Sequence, residues 1–313
     1  MPGPVEMWVQ AAGGRVLVRR TGTGSPLLLI PGLGSHTGLW SPAERVWRDL
    51  DVISFDAPGA GRSPGRIPPP SVNGLARLAE ELLDELGLDR VDVLGYSLGG
   101  TVAQTLARRA PERVRRLVLA ATAPGWGCVP GRWQAMIHLY NPLRYFSRTY
   151  YEKTIGAMAG GQARTDASFI ARHGTERLVD PPSLVGYYSQ LLAAATWSSI
   201  GWLSEISAPT LVVAGGDDPL LPPVNSVMLA HRIPRARLQL HPDEGHLMLF
   251  DDASPALGAV YDFLTAPTLD DSRVWREAQV VTPADEREAV RTTSRGMFPW
   301  GLASAAYRAA RAA

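Results

Sequence analysis

Leu94-Gly95-Tyr96-Ser97-Leu98-Gly99-Gly100 follows the short β-branched run Val91-Asp92-Val93-Leu94 and precedes the helical pattern Thr101-Val102-Ala103-Gln104-Thr105-Leu106-Ala107. Strand, Gly-x-Ser-x-Gly, helix is the order of a nucleophile elbow. A sharp strand-to-helix turn strains the serine backbone and leaves room only for small residues two before and two after it. Gly95 and Gly99 meet that need. The turn lifts the Ser97 hydroxyl clear of the strand and sets the Leu98 N–H at a helix N-terminus, where unpaired donors favour developing negative charge. The plain alternative is a glycine-rich turn with an incidental serine. The strand before it and the helix after it weigh against that.

Outward from the elbow, strand and helix alternate. Met7 to Gln10 and Arg15 to Arg19 read as a hairpin about Gly13-Gly14. Pro26-Leu27-Leu28-Leu29-Ile30 is a continuous apolar run, as expected of a strand buried on both faces of a parallel sheet. The glycine-rich loop Pro31-Gly32-Leu33-Gly34-Ser35-His36 follows it, with His36 read as a loop residue and not as a base. Val52 to Asp56 is the next strand, and Asp56 is read as satisfying backbone donors in the tight turn Ala57 to Ser63. Leu75, Leu78, Leu82, Leu83 and Leu86 recur at helical spacing, and Gly87 ends that helix. Arg116 to Ala121 and Thr210 to Ala214 are strands, followed by a helix over Val224 to His231, the strand Arg237 to Leu240 and a last helix over about Pro255 to Leu264.

Between these, from Gly125 to about Ser207, the texture changes. Aromatic residues crowd together, no β-rich run appears, and helical patterns dominate. This predicts an inserted helical lid. The expected organisation is a core at 1–124 and 207–266, a lid at 125–206 and a tail at 267–313. The polar tail is expected to be partly disordered or loosely packed from Thr265 to Arg295, with its apolar, basic end, Met297 to Leu302 with Tyr307, Arg308 and Arg311, docking on the body.

The chain has 313 residues, 45% of them hydrophobic, and a net charge of +1, so nothing in its charge points to nucleic acid. Cys128 is the single cysteine, which excludes an intramolecular disulfide, fits a reducing compartment and is best read as a small packed thiol. The N-terminus lacks a basic region followed by an apolar core, and no apolar run reaches the about 18 residues of a membrane span, so the expected location is cytoplasmic. No His-Glu-x-x-His, cysteine cluster or Gly-x-x-x-x-Gly-Lys calls for a metal or a cofactor.

A serine hydroxyl becomes a useful nucleophile only beside a base that takes its proton and a carboxylate that fixes the base. The chain offers Ser97, the pair Asp217-Asp218 and His246, the last two in loops after successive strands. Asp218 is preferred, because Gly215-x-x-Asp218-x-x-x-Pro222 resembles the glycine-to-proline spacing common in α/β hydrolases, which leaves Asp217 as an exposed loop residue. Gly245-His246 lies past the strand, whereas His241 ends it.

From about Arg15 to Leu264 the chain resembles the α/β-hydrolase superfamily. The motifs are Pro31-Gly32-Leu33-Gly34, Phe55-Asp56-x-Pro58-Gly59-x-Gly61-x-Ser63, Gly95-x-Ser97-x-Gly99-Gly100, Asp218-x-x-x-Pro222 and Gly245-His246. The resemblance implies an α/β fold with a mostly parallel sheet, helices on both faces and a catalytic triad of Ser97, Asp218 and His246. It also implies an oxyanion hole from the Leu33 and Leu98 N–H groups. Within the lid, Val129-Pro130-Gly131, Gly186-Tyr187-Tyr188-x-Gln190-Leu191 and Trp197-x-Ser199-Ile200-x-Trp202-Leu203 resemble the intracellular poly(3-hydroxyalkanoate) depolymerases of bacteria. So do Leu117-Val118-Leu119-Ala120-Ala121-Thr122-Ala123-x-Gly125, Asp218-Pro219-Leu220-x-Pro222 and Ala230-x-Arg232-Ile233-Pro234. That implies hydrolysis of medium-chain polyester at storage-granule surfaces, without a cofactor. Leu98 departs from the Trp common in that group and should shift chain-length preference. Trp126, Tyr187 and Trp197 are candidate substrate contacts. A general carboxylesterase, lactonase or thioesterase for small acyl substrates is the alternative activity, and a non-catalytic ligand receptor the alternative of another class.

Overall fold

The computed structural model describes residues 3–296. Its strands are β1 (Val5–Ala11), β2 (Gly14–Thr21), β3 (Ser25–Ile30), β4 (Leu50–Phe55), β5 (Val91–Tyr96), β6 (Val114–Ala120), β7 (Thr210–Gly215) and β8 (Ala236–His241). They form one sheet in the order β1-β2-β4-β3-β5-β6-β7-β8. The β1–β2 and β2–β4 pairs are antiparallel, and every later pair is parallel. The β1–β2 hairpin turns through Ala12 and Gly13, both at positive φ, the backbone a two-residue turn demands.

The helices outside the region between β6 and β7 are α1 (Ser41–Val46), α2 (Val72–Glu85), α3 (Leu98–Arg109), α9 (Val224–Arg232), α10 (Pro255–Thr265), α11 (Arg273–Glu277) and α12 (Pro283–Gly296). Alternate residues along the central strands feed opposite layers, as the pleat requires. Leu28, Ile30, Val93, Leu117 and Leu119 join the core under α2, α3 and α9. Leu27, Leu29, Leu94, Val118 and Ala120 join the core under α1 and α10. Burial on both faces explains why these strands read as largely apolar runs, unbroken in Leu27 to Ile30 and interrupted in β5 by the buried Asp92. The amphipathic α2 begins earlier than its leucines indicate: the Ser71 side chain accepts the Gly74 N–H and caps it at Val72.

Between β6 and β7 lie α4 (Trp133–Tyr140), α5 (Arg148–Ala159), α6 (Gln162–Thr165), α7 (Ala167–Arg177) and α8 (Leu184–Ala195). The two ends of this insertion are pinned together by a bridge between Gly125 and Ser198.

The segment after Pro267 corrects the expectation of a loose tail as far as Gly296. Trp275 of α11 stacks on Phe263 with ring centroids 5.4 Å apart and is buried. Gln279 exchanges two backbone hydrogen bonds with Leu238 of β8, each 2.9 Å long. Glu286 of α12 is buried against Arg232 of α9, whose Nη2 lies 2.8 Å from its Oε1. Polar composition concealed a few well-spaced anchors. The expected docking of Met297 to Leu302, with Tyr307, Arg308 and Arg311, lies outside the described residues. Among the described residues no helix is long and apolar enough to cross a membrane.

Candidate active site

The elbow forms where β5 meets α3. Ser97 takes φ 53° and ψ −120°, a left-handed backbone that non-glycine residues adopt only under constraint. The constraint is visible in its neighbours. A Cβ on Gly99 would lie 2.1 Å from the Ile30 carbonyl oxygen, and one on Gly95 would lie 2.5 Å from the Ala103 Cβ. The Thr122 hydroxyl donates to the Ser97 carbonyl at 2.7 Å and fixes the turn from β6.

His246 stands on the loop after β8 with its Nε2 3.1 Å from Ser97 Oγ. Its Nδ1 lies 2.7 Å from Asp218 Oδ2. The other Asp218 oxygen accepts the Leu220 and Leu221 N–H groups at 2.8 and 2.9 Å. The carboxylate is therefore oriented by backbone, and Nδ1 of His246 carries the proton. Asp218 and His246 are buried, whereas Ser97 is partly open. Tyr96 donates its hydroxyl to the His246 carbonyl at 3.0 Å, and the His246 N–H donates to the Ala159 carbonyl at 2.7 Å. Among the described residues neither the Leu33 N–H nor the Leu98 N–H donates to a protein acceptor. Leu33 and Leu98 pack together with Tyr145 and Tyr187.

The other residues singled out by sequence fall into place around this line. Asp56 is fully buried and accepts the Thr37 and Arg62 N–H groups at 2.7 and 2.9 Å, the turn role expected of it. Burial raises its carboxyl above the usual carboxylate range. His36 is buried: its Nδ1 accepts the Gly38 N–H and its Nε2 donates to the Glu176 carbonyl, tying the loop after β3 to the end of α7. Asp217 is not a free loop residue. Its Oδ2 accepts the Gly161 N–H at 2.9 Å and its Oδ1 pairs with Arg164 at 3.2 Å, which anchors the insertion beside Asp218. Burial pushes the Cys128 thiol up to about 11, which suits a packed thiol.

Of the three aromatic residues proposed to meet substrate, only Tyr187 joins the cluster at the site. It is fully buried, with its hydroxyl donating to the Leu139 carbonyl. Trp197 packs edge-on against Trp202 at 5.7 Å in the core under α3, and Trp126 is 77% exposed. Sequence reasoning assigned no individual role to Tyr145, Gln190, Arg144 and Arg177, which surround the loop after β3. Tyr145 stood among the crowded aromatic residues of the insertion and Gln190 in a quoted motif, and nothing local marked the two arginines. Among the described residues no group of three or more His, Cys, Asp and Glu side chains could hold a metal ion.

An eight-stranded, mostly parallel sheet with a serine elbow, and an acid and a base on later loops, defines a serine hydrolase of the α/β type. Residues 25–253 match the α/β hydrolase fold family, and the chain belongs to it. It is 40% identical over 241 residues to a poly(3-hydroxyalkanoate) depolymerase of Ectopseudomonas oleovorans, covering 77% of this chain and 84% of that one. A pimeloyl-[acyl-carrier protein] methyl ester esterase of Nitrosomonas europaea is 28% identical, covering 73% of this chain and 91% of its own. Among solved structures, a thermophilic esterase from Thermogutta terrifontis superposes with a TM-score of 0.69 at 25% identity, covering 84% of this chain and 98% of that one.

Proposed function

We propose that the protein is a serine-dependent poly(3-hydroxyalkanoate) depolymerase that releases hydroxy acids through an acyl-enzyme. The observation that carries the chemistry is the unbroken line from Ser97 Oγ through the His246 imidazole to Asp218, with contacts of 3.1 and 2.7 Å. Ser97 Oγ attacks the ester carbonyl carbon while His246 Nε2 takes its proton. Asp218 holds the Nδ1–H tautomer and stabilises the imidazolium. Negative charge gathers on the carbonyl oxygen, where the Leu33 and Leu98 N–H groups receive it. The tetrahedral centre collapses, the ester C–O bond breaks, and His246 returns the proton to the departing hydroxyl end of the chain. Water, deprotonated by the same imidazole, then attacks the acyl carbon, the bond from that carbon to Ser97 Oγ breaks as His246 Nε2 returns the proton to Oγ, and the hydroxy acid leaves.

The polymer reading is supported by the 40% identity to the Ectopseudomonas depolymerase, which runs over 77% of this chain. The surface of the insertion supports it independently. Trp133, Ile137 and Tyr140 on α4 are exposed at helical spacing, and so are Leu184, Tyr188 and Leu192 on α8. Leu143 and Phe146 are also exposed. Water-facing apolar surface on this scale marks a site for an apolar partner, and a polyester granule presents one. In this reading the insertion, residues 125–206, acts as the lid and rests on the granule, with the enzyme acting in the cytoplasm.

The test is hydrolysis of p-nitrophenyl esters from short to long chain, run beside dispersed medium-chain polyester and beside Ser97→Ala. Polyester cleavage with a medium-chain optimum, lost in the variant, is the expected result. Activity confined to short dissolved esters would replace the polymer with a small ester. No activity on any substrate would return the scaffold to a receptor.

A further inference from the structure

The peptide joining Leu33 to Gly34 is held at both ends by side chains of the insertion. Tyr145, in a short turn before α5, donates its hydroxyl to the Leu33 carbonyl. Gln190 of α8 accepts the Gly34 N–H through Oε1 at 2.9 Å. Gly34 lies at φ 63°, and a Cβ there would meet Tyr145 Oη at 2.7 Å, so only glycine lets the phenol reach this carbonyl. Holding that peptide fixes the carbonyl end of Leu33, and the Leu33 side chain is packed against Leu98, Tyr145 and Tyr187, so little freedom is left for the peptide before it to turn and carry the Leu33 N–H away.

The phenol is held in turn by two guanidinium groups. Arg177 Nη2 donates to Tyr145 Oη at 2.5 Å, and Arg144 Nη2 stands 3.5 Å from the same oxygen. Both guanidinium groups also lie over the Tyr145 ring, 4.2 and 5.0 Å from its centre. The two arginines are 3% and 6% exposed for Arg144 and Arg177 respectively, and among the described residues neither has a carboxylate within 4.0 Å. Burying a cation without a counter-charge is costly, so a structure that buries two around one phenol oxygen has a use for them there. A hydroxyl that accepts a charge-assisted bond becomes a stronger donor through cooperative polarisation.

We infer that Tyr145 and Gln190 are positioning residues that set the oxyanion hole from the insertion, with Arg144 and Arg177 tightening the grip of Tyr145 on the Leu33 carbonyl. This rests on the hydrolase reading above and assigns these side chains no contact with the reacting atoms. Its consequence is coupling: the Leu33 N–H is aimed only while the insertion is seated over the loop after β3.

A fluorophosphonate probe reads the hole without any ester, because its P–O oxygen occupies the oxyanion position as Ser97 Oγ displaces fluoride at phosphorus. Tyr145→Phe keeps the ring and removes only the hydroxyl. Gln190→Met removes the bond on the other side of the peptide. Each variant should label about 10- to 100-fold more slowly than wild type. Each should lose kcat on a p-nitrophenyl ester by a similar factor, with KM within about twofold, less than loss of an oxyanion donor itself. The double variant should lose less than the product of the single losses, since both side chains hold one peptide. Unchanged labelling in both variants, or a loss carried by KM alone, overturns the proposal. If Tyr145→Phe does not fold, Gln190→Met decides alone. Labelling that persists in Ser97→Ala would instead overturn the hydrolase reading, and the positioning role with it.

Discussion

Replacing Asp218 with Asn changes one atom, and its surroundings determine what that atom does. Asp218 Oδ1 is held by the Leu220 and Leu221 N–H groups at 2.8 and 2.9 Å. In Asp218→Asn the amide oxygen must keep those two donors, because the NH2 group cannot accept them. The NH2 group is then turned toward His246 Nδ1, now 2.7 Å from Oδ2. It donates where the carboxylate accepted, so the imidazole must carry its proton on Nε2, facing Ser97 Oγ. An Nε2–H cannot take the hydroxyl proton. Loss of the correct tautomer in serine triads costs on the order of 10⁴ in kcat, or about 5.5 kcal/mol of barrier. Shape and packing change little, so the melting temperature should move by only a few degrees. The neighbour supplies the control. Asp217 pairs with Arg164 through a side chain 37% exposed, and an exposed pair is worth at most about 1 kcal/mol. Asp217→Asn should therefore stay within about fivefold of wild type. Steady-state hydrolysis of a p-nitrophenyl ester, with burst titration of active sites, measures both. An Asp218→Asn enzyme retaining a tenth of its activity, or equal losses in the two variants, would refute this account of the acid.

Three further outcomes follow from packing and burial. Burial holds the His173 imidazole well below its ordinary value, with Arg177 acting in the same sense, and burial lowers His241 as well. The unfolded chain then binds more protons below about pH 6.5, so stability should fall as the pH drops through that value. Urea midpoints at pH 7.5 and 5.5 should differ less in His173→Phe than in wild type, and an equal or larger difference would contradict the reading. Gly99→Ala places a Cβ 2.1 Å from the Ile30 carbonyl oxygen; it should cost about 3 kcal/mol or more of stability by overpacking, read as a lowered urea midpoint. Trp275→Ala should cost about 3 kcal/mol, also read by urea unfolding, whereas a loosely attached tail would leave the midpoint unmoved.

The elbow and the line of Ser97, His246 and Asp218 proposed as the triad were legible because their signals are local. Gly95, Ser97 and Gly99 answer to a backbone turn, and Gly215-x-x-Asp218 and Gly245-His246 answer to the ends of buried strands. The strands were legible because burial on both faces keeps their runs largely apolar, with only isolated polar positions such as Asp92 and Ser54 inside them. Tyr145, Arg144, Arg177 and Gln190 were not legible as a group. They meet only when the insertion folds back over the loop after β3, and Gln190 stands 156 positions from the Gly34 N–H it accepts. Segment 267–296 misled for a related reason. Its composition is polar, yet Trp275 is buried against Phe263 of the preceding helix and the Glu286 carboxylate against Arg232, 54 positions earlier. Composition averages over such isolated anchors.

The backbone pairing of Gln279 with Leu238 has a consequence for solubility. β8 is the last strand of the sheet on that side, and an open edge offers its N–H and C=O groups to the edge of any other molecule. The returning chain occupies part of that edge through two hydrogen bonds, while α12 packs on α9 next to it. A protein cut at Pro267 would keep Ser97, Asp218 and His246 but lose this cover. Its defect would grow with concentration, appearing as self-association along β8 before any loss of chemistry per molecule.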